Sequence, residues 1–145
     1  MDKGEYSIDI VLEGGSGRAS VSSPARLIVT DEKMQAEIEW SSSFYDYMEV
    51  DNKDYYPIND SGNSLFLIDV PQLDTDIPIK AETLAMSEPH MIDYTIHFDS
   101  STAVPAHPDN MVFNVTITAA IVTVTALAAA IAVFINKRKN TNVKN

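Results

Sequence analysis

The chain contains no cysteine, so no disulfide staples its fold and no thiolate is offered to a metal or substrate. Basic residues are scarce before position 112, where only Lys3, Arg18, Arg26, Lys33, Lys53 and Lys80 stand against all 21 acidic residues. Six cations against 21 acids leave this portion at −15, and four cations further on restore the chain to its net −11. Such a surface repels nucleic acid and anionic lipid headgroups, which excludes both as partners of this portion. No Ser/His/Asp arrangement with catalytic spacing is present, and no His/Cys zinc pattern, so no enzyme is expected. The carboxylates are spread along strand faces and turns, where solvation accounts for them.

Long hydrophobic runs are also absent, with one exception. Val112–Ile135 is an uncharged run of 24 residues followed at once by Asn136-Lys137-Arg138-Lys139. As a helix it spans about 36 Å, enough to cross a hydrocarbon core of about 30 Å with some tilt. The basic cluster places residues 136–145 on the cytoplasmic side and the acidic portion outside, in a single-pass plasma-membrane arrangement. Met1-Asp2-Lys3-Gly4 has no apolar segment of the kind an export signal needs, so the expectation is that such a signal has been removed. An exported domain without disulfides suits a bacterium. The run is poor in Leu and rich in small residues, with pairs four apart at Thr116/Ala120, Ala119/Thr123 and Ala126/Ala130. Such pairs let membrane helices approach closely, so the helix is expected to pack against a membrane-protein partner or its own copy. Asn114-Val115-Thr116 matches a glycosylation sequon but falls inside this run and is discounted.

The first hundred residues read as β-strands. Tyr6, Ile8, Ile10 and Leu12 alternate with polar residues, as do Met34, Ala36, Ile38 and Trp40, the period of half-buried antiparallel strands. Residues 26–30, 44–50, 64–70, 79–85 and 91–98 supply further β-rich segments, separated by turn signals at 13–17, 31–33, 51–54 and 59–63. About seven to nine short strands at this spacing predict an all-β, immunoglobulin-like antiparallel sandwich over residues 1–99. Residues 100–111 hold Pro105 and Pro108 without an apolar pattern and read as a linker. A linker that short reaches at most about 40 Å, which keeps the domain close to the bilayer.

Candidate chemistry concentrates in residues 85–98. On a strand His90, Ile92, Tyr94, Ile96 and Phe98 share one face, with Ile96 and Phe98 in the core and His90 and Tyr94 at the sheet's end. Met86, His90, Met91 and Tyr94 bring thioether, imidazole and phenol to one hairpin tip, which suits a heme iron or copper(I). The alternative is a surface histidine with methionines that fill packing gaps. A second cluster, Tyr45, Tyr47 and Met48 with Tyr55-Tyr56 close behind, offers flat apolar contact with polar tips to a porphyrin or protein partner. It also fits ordinary sheet packing. The glycines of residues 14–17 read as a hairpin turn, since no helix and no P-loop lysine follow.

Gly4-Glu5-Tyr6-Ser7-Ile8, then Ser23-Pro24-Ala25-Arg26-Leu27-Ile28-Val29, and finally Tyr94-Thr95-Ile96-His97-Phe98-Asp99 resemble a NEAT domain. This iron-transport-associated family occurs on Gram-positive cell surfaces, and the resemblance covers roughly residues 4–99. It implies a sandwich that binds heme in a groove beside the final hairpin, where the family carries Tyr-x-x-x-Tyr. There the first tyrosine ligates iron and the second hydrogen-bonds it. Here Tyr94 takes the second place, but His90 takes the first, giving His-x-x-x-Tyr. The family's short lip helix is replaced by residues 14–21, which have no helical pattern. Heme binding at His90 and Tyr94 is thus chemically allowed by a neutral histidine but not inherited from the family's motif. A second ligand comes from Met86 or Met91, with Met86 expected because it stands four positions before His90 across a Pro-containing turn. The function expected is a membrane-tethered heme-binding module beside an uptake permease. The alternatives are an accessory subunit without cofactor, and a copper(I) module using Met86, His90 and Met91.

Overall fold

In the computed structural model, residues 1–106 are described, and they form one antiparallel β-unit. Its strands are β1 (Gly4–Gly14), β2 (Ala25–Val29), β3 (Met34–Glu39), β4 (Tyr45–Val50), β5 (Lys53–Tyr55), β6 (Leu65–Asp69), β7 (Ile77–Thr83) and β8 (His90–Pro105). They pair in the order β5-β4-β7-β8-β1-β2-β3-β6. The sheet curls until its two ends meet. The Asp69 amide donates to the Tyr55 hydroxyl at 3.2 Å, the Ile58 amide to the Leu65 carbonyl at 2.8 Å, and Lys53 pairs with Asp69 at 2.8 Å. The all-β sandwich expected from the alternation is therefore present, in a form nearly closed on itself, which protects the strand edges. The apolar run Val112–Ile135 lies outside the described residues.

The alternation also locates the core. Ile8, Ile10, Ala36, Ile38 and Trp40 are all buried, packed against Phe66, Ile96 and Phe98 from the other strands. On the outer surface Arg26 clamps three strands. Its guanidinium donates twice to Glu5 on β1, at 2.6 and 3.1 Å, and once to Glu37 on β3, at 2.8 Å. Both carboxylates raise the Arg26 pKa, against the opposing effect of burial, with the Glu5 hydrogen bond the largest cause. The fork geometry of arginine makes that bridge across β1, β2 and β3 possible.

Two local assignments differ from the sequence reading. Asp51-Asn52 is the two-residue turn of a hairpin, with φ of 52° and 60°, and it launches the short strand β5 where only a turn was expected. Positive φ at both central residues is the conformation that matches hairpin twist, and Asp and Asn tolerate it. Residues 100–105, read as linker, belong to β8. Tyr6 pairs with Pro105 and Ser7 with Val104, after which the register jumps to Asp9 opposite Asp99. Side chains fill the jump. Thr102 Oγ1 accepts from the Asp9 amide at 2.8 Å and donates to the Asp99 carbonyl at 2.7 Å, and Asp99 accepts from Ser101. Hydroxyls satisfy the main chain where the ladder is interrupted, so this strand carries no apolar alternation.

Trp40 is fully buried beneath the end of the sheet. Trp40→Ala is expected to cost about 3–5 kcal/mol, and Tyr56→Ala, at an exposed ring, less than about 0.5 kcal/mol. Urea unfolding followed by circular dichroism distinguishes the two.

Candidate functional site

The candidate residues gather at one end of the curled sheet. There β7 passes to β8 through the tip Leu84–Pro89, with Thr83 opposite His90 in the last paired position and Tyr45 of β4 on the other side of Thr83. The connection from β1 to β2 folds over the same end. Gly14 lies opposite Tyr94, Val21 bridges to Trp40, and the Ser41 amide donates to the Ser20 carbonyl at 2.9 Å.

Under this end sits an aromatic cluster. Trp40 stacks on Tyr45 with centroids 4.0 Å apart and meets Tyr94 edge-on at 5.2 Å. The Tyr45 and Tyr94 hydroxyls lie 3.1 Å apart, and Trp40 Nε1 donates to Met48 Sδ at 3.3 Å. Tyr94 is only 5% exposed. Desolvation, then the hydrogen bond to Tyr45, holds its phenol well above the ordinary tyrosine range. Gly15 explains how the loop lies so close. Its φ is +59°, and a Cβ there would come within 3.0 Å of the Tyr94 ring and 3.2 Å of Ile92. A side chain at that position needs both an unfavourable backbone conformation and a displaced ring.

The structure separates the residues that the sequence grouped. His90 and Met86 are exposed at the tip, Met86 by 63%, whereas Tyr94 is directed into the core. Four residues of extended strand put about 14 Å between the His90 and Tyr94 backbones. Met91 is exposed too, on the strand face opposite His90. Tyr45, Tyr47 and Met48 do not form one contact surface. Asp46 is an extra residue in β4, because Tyr45 pairs with Thr83 and Tyr47 with Glu82. That bulge turns Tyr45 and Met48 inward and Tyr47 outward. Met48 is fully buried, with its sulfur accepting from Trp40. Tyr45 acts through the core as well. Tyr47 donates to Asp54 at 2.7 Å and packs edge-on against Tyr56. One oxygen of the bulged Asp46, Oδ1, is buried with no hydrogen-bond partner among the described residues.

Three residues that the sequence reading passed over belong to this end. Phe44 and Leu84 are 53% and 44% exposed, and the Leu84 amide donates to the Phe44 carbonyl at 2.9 Å. With Met86 they are exposed apolar residues at the same end of the sheet as His90. Arg18, in the loop that covers Tyr94, is the one cation among the described residues with no ion-pair partner. Its signal in the sequence was its isolation among Gly, Ser and Ala. A concavity of about 920 Å³ lies on the outer face of β4, β7 and β8 and reaches Gly14 and Tyr94. Glu13, Glu49, Asp51, Asp76 and Asp93 line it with Lys80, a charge balance that disfavours an anionic ligand.

No family model and no curated protein matches the chain. Among solved structures the fold is similar to the NEAT5 domain of IsdX2, a B. anthracis hemophore in complex with heme, and to a single-residue mutant of that domain, also in complex with heme. Each comparison gives 19% identity and a TM-score of 0.57, covering 68% of this chain and 97% of the other. The described unit therefore has the fold of a NEAT domain.

The raised phenol pKa fixes a pH dependence. A neutral Tyr94 favours the folded state, fully below the unfolded pKa of about 10, and that contribution is lost as pH rises beyond it. Wild-type stability should fall between about pH 10 and 11 more steeply than that of Tyr94→Phe, as read by urea midpoints across that range.

Proposed function

We propose that the protein is a heme-binding module whose site is the tip of the β7–β8 hairpin, where His90 and Met86 would hold the iron. The observation that carries this reading is an exposed imidazole and thioether, at the same end of the sheet as exposed Phe44 and Leu84, on the fold that the IsdX2 domain uses in complex with heme. The donor set fits the group. Imidazole and thioether are both iron ligands, and a flat porphyrin is accommodated by exposed apolar side chains. Heme bound there supplies a coordination centre, and the chain's own residues orient and retain it. Arg18 gives the porphyrin carboxylates a cation that competes with no internal ion pair. Tyr94 supports the tip from below and holds no iron.

The position of the module follows from the sequence beyond the described unit. We place it outside a Gram-positive plasma membrane, anchored by Val112–Ile135, where the small-residue face of that helix packs on an uptake permease or on a second copy. Retention of hemin close to the bilayer suits transfer to such a permease, because β8 ends at Pro105 and little chain separates it from the anchor.

Titration of the full-length chain with hemin should produce a sharp Soret band that saturates at one equivalent. His90→Ala should weaken binding at least tenfold, and Arg18→Ala about two- to fivefold, the range of a solvent-exposed ion pair. Spectra identical to those of free heme in both the ferric and the dithionite-reduced state would dismiss the reading. Loss of binding in Tyr94→Phe but not in His90→Ala would return the iron to the tyrosine.

A further inference from the structure

We infer that this site selects heme in its reduced, ferrous state, so that oxidation of the iron loosens it. The inference rests on the heme-binding reading and concerns which form of the ligand is held. Its basis is the seclusion of the phenols. Tyr94 and Tyr45 are 5% and 7% exposed, their hydroxyls are 3.1 Å apart, and the Gly15 turn lies across the Tyr94 ring. Presenting either oxygen to a ligand at the tip requires that pair to separate and the core beside Trp40 to open. The donors left at the surface, His90 and Met86, are both neutral.

Ligand charge then decides the preference. A phenolate compensates the additional positive charge of ferric heme, whereas a neutral imidazole and thioether leave it uncompensated. A histidine–methionine pair accordingly raises the potential of heme iron. The carboxylates nearest in sequence and in strand pairing, Glu88 in the tip, Glu82 beside Met91 and Asp93 on β8, oppose this by favouring the more positive iron. Glu88 and Asp93 are solvent-exposed and Glu82 is half-buried, so water and salt screen them, whereas His90 and Met86 would act on the iron directly. The ligands therefore set the sign.

The test compares monomeric hemin with heme reduced by dithionite under argon, each titrated into the full-length chain, alongside potentiometry of the bound heme. Reduced heme should bind at least tenfold more tightly, with the potential of bound heme raised above that of free heme by about 59 mV for each tenfold difference. Tyr94→Phe should keep the preference and His90→Ala should abolish it. Equal or tighter binding of hemin would overturn the inference, as would a ferric phenolate charge-transfer band that disappears in Tyr94→Phe. Both of those results leave the heme-binding reading standing. Failure of both forms of heme to bind overturns the inference and the heme-binding reading together.

Discussion

The hydrogen bond between the Tyr45 and Tyr94 hydroxyls, closed over Trp40, is the contact on which this end of the molecule depends. It joins β4 to β8 across the intervening β7, and it satisfies two phenol groups that would otherwise be buried unpaired at a cost of about 1–3 kcal/mol each. The bulge at Asp46 turns Tyr45 inward, Gly15 lets the β1–β2 connection lie across Tyr94, and the hairpin tip is left as the exposed place for His90 and Met86. The same contact keeps Tyr94, the second position of the His-x-x-x-Tyr pattern, inside the core, and the first position is a histidine, which is why the proposed ligands are neutral.

Charge arranges the rest. Five of the six described cations are tied to carboxylates, among them Arg26 between Glu5 and Glu37 and the two lysines at Asp69. Arg18 alone is uncommitted among them. In so acidic a domain an anionic ligand is repelled almost everywhere, including the large outer concavity with its five carboxylates. The proposed porphyrin site therefore needs a local cation, and Arg18 is the candidate, in the β1–β2 connection whose Gly15 lies across the Tyr94 ring.

The fold was largely legible in the sequence, because period-2 alternation is a direct consequence of strands with one buried face. Ile8, Ile10, Ile38 and Trp40 lie where that alternation puts them. What escaped was structure held by side-chain hydrogen bonds and by unusual backbone, as in the hydroxyl-filled end of β8 and the Asp51-Asn52 hairpin. The candidate residues were legible by their chemistry, and their packing less so. His90 and Met86 could be picked out by their chemistry, but one added residue at Asp46 reverses which face each side chain of β4 occupies. Sequence spacing therefore put Tyr45, Tyr47 and Met48 together, and the bulge separated them. Tyr94 shares a strand face with His90, as expected, yet that face turns from surface to core within four residues.

The central claim, that the hairpin tip holds the porphyrin while the aromatic cluster stays closed beneath it, is tested most directly by NMR shift mapping with zinc protoporphyrin, a diamagnetic divalent analogue that accepts an axial imidazole. The account predicts the largest shifts at Phe44, Leu84, Met86 and His90, with Arg18 also affected and the ring resonances of Tyr45 and Tyr94 little changed. Largest shifts at the outer face around Glu49, Lys80 and Asp93, or a separated Tyr45–Tyr94 pair in the bound state, would contradict it.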